Sequence, residues 1–346
     1  MNFSRLLSVA PMMERTDRHC RYFFRLLSKE TLLYTEMINA QAIVKGNRFR
    51  LLDFSKVEHP LALQIGGSDP KLLAEATKIA VDWGYDEINL NVGCPSSRVS
   101  SGDFGAVLMK RKDHVAKCVD AMLKFSSGVP ISVKCRIGVD DQDPEIILPD
   151  FIRTVSNAGI FIFIIHARKA ILNGLSPKDN RKIPLIDYDI VKKIKKQFSK
   201  FEICINGEIK DLDAVSHFIK EGIDGCMIGR EVYKNPAKIL QNADEKIFKK
   251  IDFNKKSKKQ RLNQALLRMI PYLEKHLLEG GKPSSILRHL INAVSGLEGA
   301  KLFRSNISEN MNKKNQTDIL EKSIKLVNFS DEKIQKKGSQ FVSELV

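Results

Sequence analysis

The chain has 346 residues, 43% of them hydrophobic and 28% charged, so it is long enough for one large globular domain and a smaller one. A net charge of +16 predicts attraction to a polyanion, most commonly nucleic acid, although a membrane surface or a merely solvating excess of lysine would also fit the charge. The sequence contains no apolar run of about 20 residues that would predict a transmembrane helix. The N-terminal segment has proline and charged residues too close to its start for a signal peptide. Six scattered cysteines without zinc-type spacing are typical of reduced thiols in a cytoplasmic, metal-free protein.

Short apolar runs recur through the first two thirds of the chain and predict eight strands. They cover residues 6–10, 33–38, 61–65, 87–91, 130–135, 160–165, 202–205 and 225–228. Amphipathic stretches of helical length lie between them, at 69–83, 112–125, 149–158, 188–198 and 211–221. Eight such units in about 230 residues predict an α/β fold of the TIM (β/α)8 barrel type. The rival is a doubly wound open sheet, which usually carries a glycine-rich loop after its first strand; Pro11 to Met13 stand there instead.

The pattern changes near residue 240, where alternating strands give way to helices alone. Residues 262–278, 284–294 and 317–327 have helical patterns with no strand signal between them. We therefore expect a barrel domain over 1–240 and a smaller all-α domain over 241–346. The second part holds 21 Lys and Arg against 12 Asp and Glu, an excess of nine basic residues. A basic helical domain attached to an enzyme barrel favours a macromolecular substrate.

Polar or flexible residues follow every predicted strand, where a (β/α)8 barrel forms its active site. In chain order they are Pro11-Met12-Met13, Glu36 and Asn39, Gln64, Asn91 and Cys94, Lys134 and Arg136, His166 and Arg168, Asn206-Gly207, and Gly229-Arg230. Polarity scattered over a surface would not recur so regularly at these positions. The pattern predicts that these side chains meet at one end of the barrel.

The last two loops resemble a phosphate cradle, because barrels often bind phosphate after strands seven and eight. Gln64, Lys134 and His166 could then hold the head of a cofactor, a lysine being suited to negative charge on a reduced flavin. Purely structural roles as an ion-pair partner, a turn or a core histidine remain open for each residue alone. Cys94, between Gly93 and Pro95, is interpreted as a positioned thiol, with a small buried hydrophobe as the alternative.

Several long segments resemble the tRNA-dihydrouridine synthase family, most closely its A-type branch, which reduces D-loop uridines. They are APMMERTDRHCR (10–21), YTEMINA (34–40), LALQIGG (61–67), EINLNVGCPSSRVSSGDFGAVLM (87–109), SVKCRIGVDD (132–141), IHARKAILNGLSPKDNRKIP (165–184), INGEI (205–209) and MIGR (227–230). NVGCPS and HARKAxLxGLSPKxNR are highly specific, and the segments span the whole predicted barrel. The resemblance is weakest in the C-terminal part, at 295–310.

The resemblance implies an FMN-binding barrel, NADPH as reductant and a helical domain that binds tRNA. Carried over by motif, the flavin site would comprise Pro11, Met12, Met13, Gln64, Lys134 and His166, with Asn206, Gly207, Glu208, Gly229 and Arg230 at its phosphate end. Cys94 would be the general acid, and Asn91, Lys178 and Arg181 would contact tRNA. Position 208 is often glycine in the family, and the negative charge of Glu208 is unfavourable beside a phosphate.

The implied reaction reduces the C5–C6 bond of uracil, with a hydride delivered to C6 and a proton from Cys94 delivered to C5. An ordinary thiol, with a pKa of about 8.5, is mostly protonated at neutral pH, as a general acid must be. The base must leave the tRNA stack, which requires positive charge to grip the backbone. Arg288 and Arg304 are our candidates for such contacts in the tail, and residues 100–105 are a candidate flap over the site.

By analogy with the A-type branch, uridines 20 and 20a are the expected targets, and the absence of any obvious symmetric interface in the sequence favours a monomer. Two alternatives remain open. One is a flavin barrel that reduces a free pyrimidine, against which the basic tail and the HARKA loop argue. The other is a tRNA-binding, chaperone-like protein whose catalysis is dispensable.

Overall fold

The computed structural model describes residues 3–96, 99, 102–250, 256–313 and 317–331. Within these residues eight parallel strands pair in chain order, and β8 pairs with β1 to close a barrel. The strands are β1 Leu7–Val9, β2 Leu32–Asn39, β3 Leu61–Gly66, β4 Glu87–Val92, β5 Ile131–Arg136, β6 Ile162–His166, β7 Glu202–Asn206 and β8 Gly225–Ile228. Each overlaps a predicted apolar run, so the predicted (β/α)8 barrel is confirmed.

Helices cover the outside of the barrel. They are α1 Arg18–Leu27, α2 Ala40–Lys45, α3 Arg48–Leu52, α4 Pro70–Trp83, α5 Lys112–Leu123, α6 Pro144–Ser156, α7 Tyr188–Gln197, α8 Leu212–Lys220, α9 Arg230–Lys234, α10 Pro236–Leu240 and α11 Ala243–Lys246. The predicted start of α6 at Pro149 was wrong. The helix begins at Pro144, because Asp143 caps its first turn by accepting a hydrogen bond from Glu145 N, and Pro149 lies inside the helix.

Alternation along the strands separates an apolar outside from a partly polar interior. In β4, Ile88 and Leu90 belong to the core between the strands and the helices. Glu87, Asn89 and Asn91 alternate with them and are at most 8% exposed. Because successive strand residues point to opposite faces, these three share the face that points into the barrel. Three polar groups in the interior need partners, since an unpaired buried polar group is costly.

Four further helices follow the barrel: α12 Lys258–Leu278, α13 Pro283–Leu290, α14 Ala300–Asn310 and α15 Thr317–Lys325. Three of them match the predicted helices, and α14 is additional. The α12 helix packs against α1, where the Tyr22 and Tyr272 rings stack with centroids 3.9 Å apart. Among the described residues, no helix combines the length and the apolar content needed to cross a bilayer.

Asp17 joins the barrel to the C-terminal helices. Its carboxylate caps α1 by accepting two backbone hydrogen bonds, and it also accepts hydrogen bonds from the Arg288 guanidinium and from His289 Nε2, both in α13. The other ring nitrogen of His289 lies 3.2 Å from the Tyr233 hydroxyl. One carboxylate therefore fixes α13 against the first barrel helix.

We expect Asp17→Asn to keep the helix cap and to remove the charge that α13 faces. Burial opposes ionisation, but hydrogen bonds and charge from His289 and Arg288 hold the pKa of Asp17 well below its ordinary value of 3.8. A carboxylate with a lowered pKa contributes stability above its unfolded pKa and loses it as the pH falls. The substitution should lower the free energy of unfolding by about 1–3 kcal/mol at pH 7, and by progressively less below pH 3.8.

Urea unfolding at pH 7 and pH 3 measures this difference. The matched control is Asp69→Asn at the cap of α4, where the carboxylate accepts hydrogen bonds from Lys71 N and Leu72 N. A loss of equal size at both pH values, or in both variants, would contradict the assigned role of the Asp17 charge.

Candidate active site at the barrel mouth

Five side chains inside the barrel form one line of hydrogen bonds that reaches its mouth. Asn91 Nδ2 donates to Gln64 Oε1 at 2.8 Å, and Gln64 Nε2 donates to Asn89 Oδ1 at 2.7 Å. Asn89 Nδ2 then donates to Ser132 Oγ at 2.8 Å, and Ser132 Oγ donates to Glu87 Oε1. The first four side chains all donate in the same direction, towards the Glu87 carboxylate, which can only accept. We call these five residues the donor line.

The donor line ends at a fully buried carboxylate with two more donors. Glu87 accepts from Arg5 Nε at 2.6 Å and from the Tyr34 hydroxyl at 2.6 Å. Arg5 also donates to Glu202 at 2.8 Å. Burying an ion pair is costly unless further hydrogen bonds accompany it, and Ser132 and Tyr34 supply such bonds to Glu87, whereas Arg5 Nη2 is buried without a partner among the described residues. The lower end of the donor line is therefore held firmly.

The upper end of the donor line holds the turn that carries Cys94. Because Nδ2 of Asn91 is directed at Gln64, its Oδ1 accepts from Gly93 N at 3.1 Å and from Cys94 N at 2.9 Å. The carbonyl of Cys94 accepts from Ala106 N at 2.9 Å. Gly105 permits this contact, since a Cβ there would lie 2.6 Å from the Cys94 carbonyl oxygen at a φ of +78°. The backbone of Cys94 is thus held on both sides.

The structure shows Asn91 as a support for this turn. Its side chain uses both the amide nitrogen and the oxygen inside the protein, and the residue is 8% exposed. The expected contact of Asn91 with tRNA stays a prediction. Cys94 is partly exposed, whereas the other five cysteines are buried. Cys94 is therefore the thiol that a ligand in the mouth can reach.

Lys134 and His166 stand at the ends of neighbouring strands, as predicted. Lys134 Nζ donates to Asn206 Oδ1 at 3.1 Å, and Asn206 Nδ2 donates to Met227 O. Burial, with a contribution from the Arg136 charge, lowers the pKa of Lys134 to about 8. Burial and then the charges of Arg136 and Lys134 hold the pKa of His166 well below its ordinary value. The mouth thus offers a neutral imidazole and a readily neutralised amine.

The loops after β6, β7 and β8 bring Glu208 and two guanidinium groups together. Gly207 has a φ of +123°, and a Cβ there would lie 2.8 Å from the His166 ring. The Glu208 carboxylate lies 2.9 Å from Arg168 Nη2 and 3.9 Å from Arg230 Nη2. Arg168 Nε is buried with no hydrogen-bond partner among the described residues. Arg168 Nη1 donates to Lys182 O and Pro184 O, so one N–H of this guanidinium remains without a partner in the described ranges, and a guanidinium beside a glycine loop suits a phosphate.

The first loop borders the same region. Met12 N donates to Thr16 Oγ1 at 2.9 Å, and the backbone N–H of Glu14 donates to the Glu36 carboxylate. A Cβ on Gly229 would lie 3.7 Å from the Met12 sulfur, so this loop lies beside the loop after β8. Pro11 is partly buried and Met13 is 59% exposed. The predicted cofactor residues therefore surround one mouth.

The predicted tRNA residues fall into two groups. Lys178 is exposed, and the neighbouring Arg181 carbonyl accepts from Arg230 Nη2 at 3.3 Å, which places this loop at the rim of the mouth. Arg181 Nε is buried without a partner in the described part of the chain. Arg288 lies at the joint with Asp17, and Arg304 lies on α14 and is partly buried. Arg288 also lines, with Asp17 and Glu36, a cavity of about 400 Å³ beside the first loop.

Sequence reasoning missed the residues that support the site. Glu87, Asn89 and Ser132 were not singled out, although polar residues at every second position of a buried strand are a usable signal. Asn180 is fully buried in the loop after β6 and was also missed, although it lies within the segment IHARKAILNGLSPKDNRKIP (165–184).

Of the predicted flap, Ser100 and Ser101 lie outside the described residues, whereas Phe104 is buried. Closure of the flap over a ligand stays a prediction. Over the described ranges, no group of three or more His, Cys, Asp or Glu side chains is placed to hold a metal ion.

A closed parallel barrel with a lysine, a histidine, two guanidinium groups and an accessible thiol at its carboxyl-terminal mouth is the framework of a barrel enzyme with an anionic ligand. The chain belongs to the dihydrouridine synthase family, whose model, described as dihydrouridine synthase (Dus), matches residues 8–330. The predicted family is therefore confirmed, and the protein is an enzyme of the oxidoreductase class.

Two curated relatives are tRNA-dihydrouridine(20/20a) synthases. The one from Synechocystis is 48% identical over 303 residues, which cover 88% of this chain and 88% of the relative. The one from Escherichia coli K12 is 48% identical over 330 residues, which cover 94% and 93%. Among solved structures, TcOYE with pHBA matches with a TM-score of 0.50 and 10% identity over 69% of this chain and 88% of that one, a likeness of fold alone.

We expect Ser132→Ala to destabilise the protein by interrupting the donor line. The change leaves Asn89 Nδ2 without its acceptor and removes one donor to Glu87 inside the barrel. Such losses lower the free energy of unfolding by about 1–3 kcal/mol, which urea unfolding measures. The control is Ser156→Ala, at a buried serine that bonds only Arg153 O within its own helix and whose loss should cost about 0.5 kcal/mol or less. Equal losses in both variants would contradict the donor line.

Proposed function

We propose that this protein is a flavin-dependent tRNA-dihydrouridine synthase that reduces the C5–C6 bond of uridines 20 and 20a in the D-loop, with FMN as cofactor and NADPH as reductant. The observation that carries this proposal is the rigidly held Cys94 turn beside Lys134 and His166, with Lys178 and Arg181 at the rim. Family membership and the activity of the two curated relatives support the same reaction.

The residues at the mouth fit a flavin with a terminal phosphate. Gln64 uses one N–H and one oxygen lone pair in the donor line, so a second N–H and a second lone pair remain to bond the edge of a ring. Lys134 and His166 would hold the ring, with Pro11, Met12 and Met13 along its side. Asn206, Gly207, Glu208, Gly229 and Arg230 would surround the phosphate. When bound, the flavin supplies the hydride that C6 of the uracil receives.

Cys94 would donate the proton that C5 receives. A thiol suits this role when it is protonated and held close to the acceptor carbon, because positioning contributes more than acidity to such a transfer. Asn91 and Ala106 provide the positioning through the backbone of Cys94.

The basic residues would dock the tRNA. We propose that residues 1–240 form the catalytic domain and that residues 241–346 bind tRNA. Lys178 and Arg181 would grip the backbone near the extruded uridine, and Arg288 and Arg304 would contact more distant phosphates. We further propose that the protein acts as a monomer in the cytoplasm.

We expect Cys94→Ala to bind FMN normally and to form dihydrouridine about 10²- to 10⁴-fold more slowly, because the general acid is lost. Mass spectrometry of nucleosides from unmodified tRNA, incubated with enzyme and NADPH, measures the product. Cys118→Ala, at a buried thiol in α5, is the control and should retain activity. Full activity of Cys94→Ala would remove Cys94 from the reaction.

Two results would replace the proposed function. Reduction of free uridine or orotate in preference to unmodified tRNA would indicate an enzyme for a free pyrimidine. Colourless protein, with no flavin absorbance and no product from tRNA, would indicate a tRNA-binding protein with dispensable catalysis.

We expect Glu208→Gln to bind FMN about 3- to 10-fold more tightly. The Glu208 carboxylate pairs with Arg168 and lies near Arg230, so it competes with a phosphate for the same guanidinium groups; partial exposure limits the size of the effect. Titration of flavin-free protein, followed by flavin fluorescence, measures the affinity. Riboflavin, which lacks the phosphate, is the control and should show no gain. An equal gain for both ligands would contradict competition at the phosphate.

A further inference from the structure

Arg136, the last residue of β5, joins two loops at the barrel mouth. Its Nε donates to Gly93 O at 3.1 Å, in the turn that carries Cys94. Its Nη1 donates to Lys169 O at 3.2 Å and to Asn180 O at 3.1 Å, in the loop after β6. The residue is 3% exposed. One buried guanidinium therefore holds three carbonyl groups that belong to two separate loops.

The loop after β6 is closed on itself by Asn180. Its Oδ1 accepts from Ile171 N at 2.7 Å, and its Nδ2 donates to Ile171 O at 2.8 Å. The residue is fully buried, so these bonds are protected from water. Lys178 lies inside this closed loop and Arg181 follows it directly. A force on either cationic side chain therefore acts on the carbonyl that Arg136 binds.

The Cys94 turn is held at both sides of one peptide group. Asn91 Oδ1 accepts from Cys94 N, and the Gly93 carbonyl of the same peptide group accepts from Arg136. Burial, with the nearby Arg181 and other positive charges, lowers the pKa of Arg136 to about 10, so it stays charged at neutral pH. Hydrogen bonds from a charged donor are about twice as strong as neutral ones.

We propose that Arg136 is a positioning residue that couples tRNA contact at Lys178 and Arg181 to the placement of the Cys94 thiol. The coupling to tRNA rests on the proposed function, whereas the mechanical link between the two loops does not. Binding of the loop by phosphate fixes Lys169 O and Asn180 O, these fix the guanidinium, and the guanidinium fixes the Gly93 peptide. A lysine carries charge but cannot reproduce this fork, because it has one nitrogen in place of three.

The test uses the full-length, flavin-loaded protein with Arg136→Lys, and Arg153→Lys on the exposed side of α6 as the matched control. The first measurement is the rate at which iodoacetamide alkylates Cys94, resolved by mass spectrometry from the five buried thiols. Release of the turn should raise this rate about 3- to 10-fold in Arg136→Lys and leave it unchanged in the control.

The second measurement separates kcat from KM with unmodified tRNA. Misplacement of Cys94 should lower kcat about 100-fold, with KM and the rate of flavin reduction by NADPH within about threefold of wild type. Arg136→Lys combined with Arg181→Ala should lower kcat by much less than the product of the single effects, since both changes break the same coupling.

Three outcomes would overturn the proposal: unchanged alkylation and kcat in Arg136→Lys, multiplicative effects in the double variant, or loss of flavin together with loss of kcat. If Arg136→Lys does not fold, Asn180→Ser replaces it, because it loosens the loop without touching the Cys94 turn. Faster alkylation of Cys94 in that variant supports the link, and an unchanged rate overturns it. Wild-type protein that forms no dihydrouridine in tRNA refutes the proposed function, whereas the alkylation results still decide the link.

Discussion

The barrel mouth depends on one buried carboxylate near the opposite end of β4. Glu87 can only accept hydrogen bonds, so Ser132, Asn89, Gln64 and Asn91 must each donate towards it. The direction of this line decides which end of the Asn91 amide faces the Cys94 turn. With the line reversed, an N–H group would face the two backbone N–H groups that Asn91 Oδ1 now accepts. A charge at one end of the interior thus sets the geometry of a thiol at the other.

Positive charge dominates the mouth itself. Lys134 and Arg136 lie in β5, Arg168 follows β6 and Arg230 follows β8. Burial lowers the pKa of His166, and these four charges lower it further. Glu208 neutralises part of this charge through Arg168. The positive charge that is not neutralised suits an anionic cofactor and a polyanionic substrate, both of which would bind in this region. The interior therefore provides rigidity, and the rim provides the attraction.

The C-terminal helices meet the barrel on the side of α1, through Asp17 and the stacked pair Tyr22 and Tyr272. A basic domain can present its charge to a large substrate in a useful direction only if its orientation is fixed. Asp17 contributes to that orientation because it is both the cap of α1 and the acceptor from α13. Arg288, expected from the sequence to meet tRNA, thus also has a structural partner within the protein.

The sequence by itself determined the barrel, the family and the strand-end positions of Cys94, Lys134 and His166, because short apolar runs and local motifs carry that information over a few residues. The sequence pattern placed the start of α6 wrongly, because Pro149 resembles a first-turn proline but lies inside the helix. It did not predict α14, which lies where the family resemblance is weakest. Only the tertiary structure decided the donor line and the Arg136 link. Their hydrogen-bonded pairs lie 25 to 45 residues apart in the chain, and strand register aligns Gln64 with Asn89 and Asn89 with Ser132. Such pairings form across closed loops of chain, so no local pattern records them.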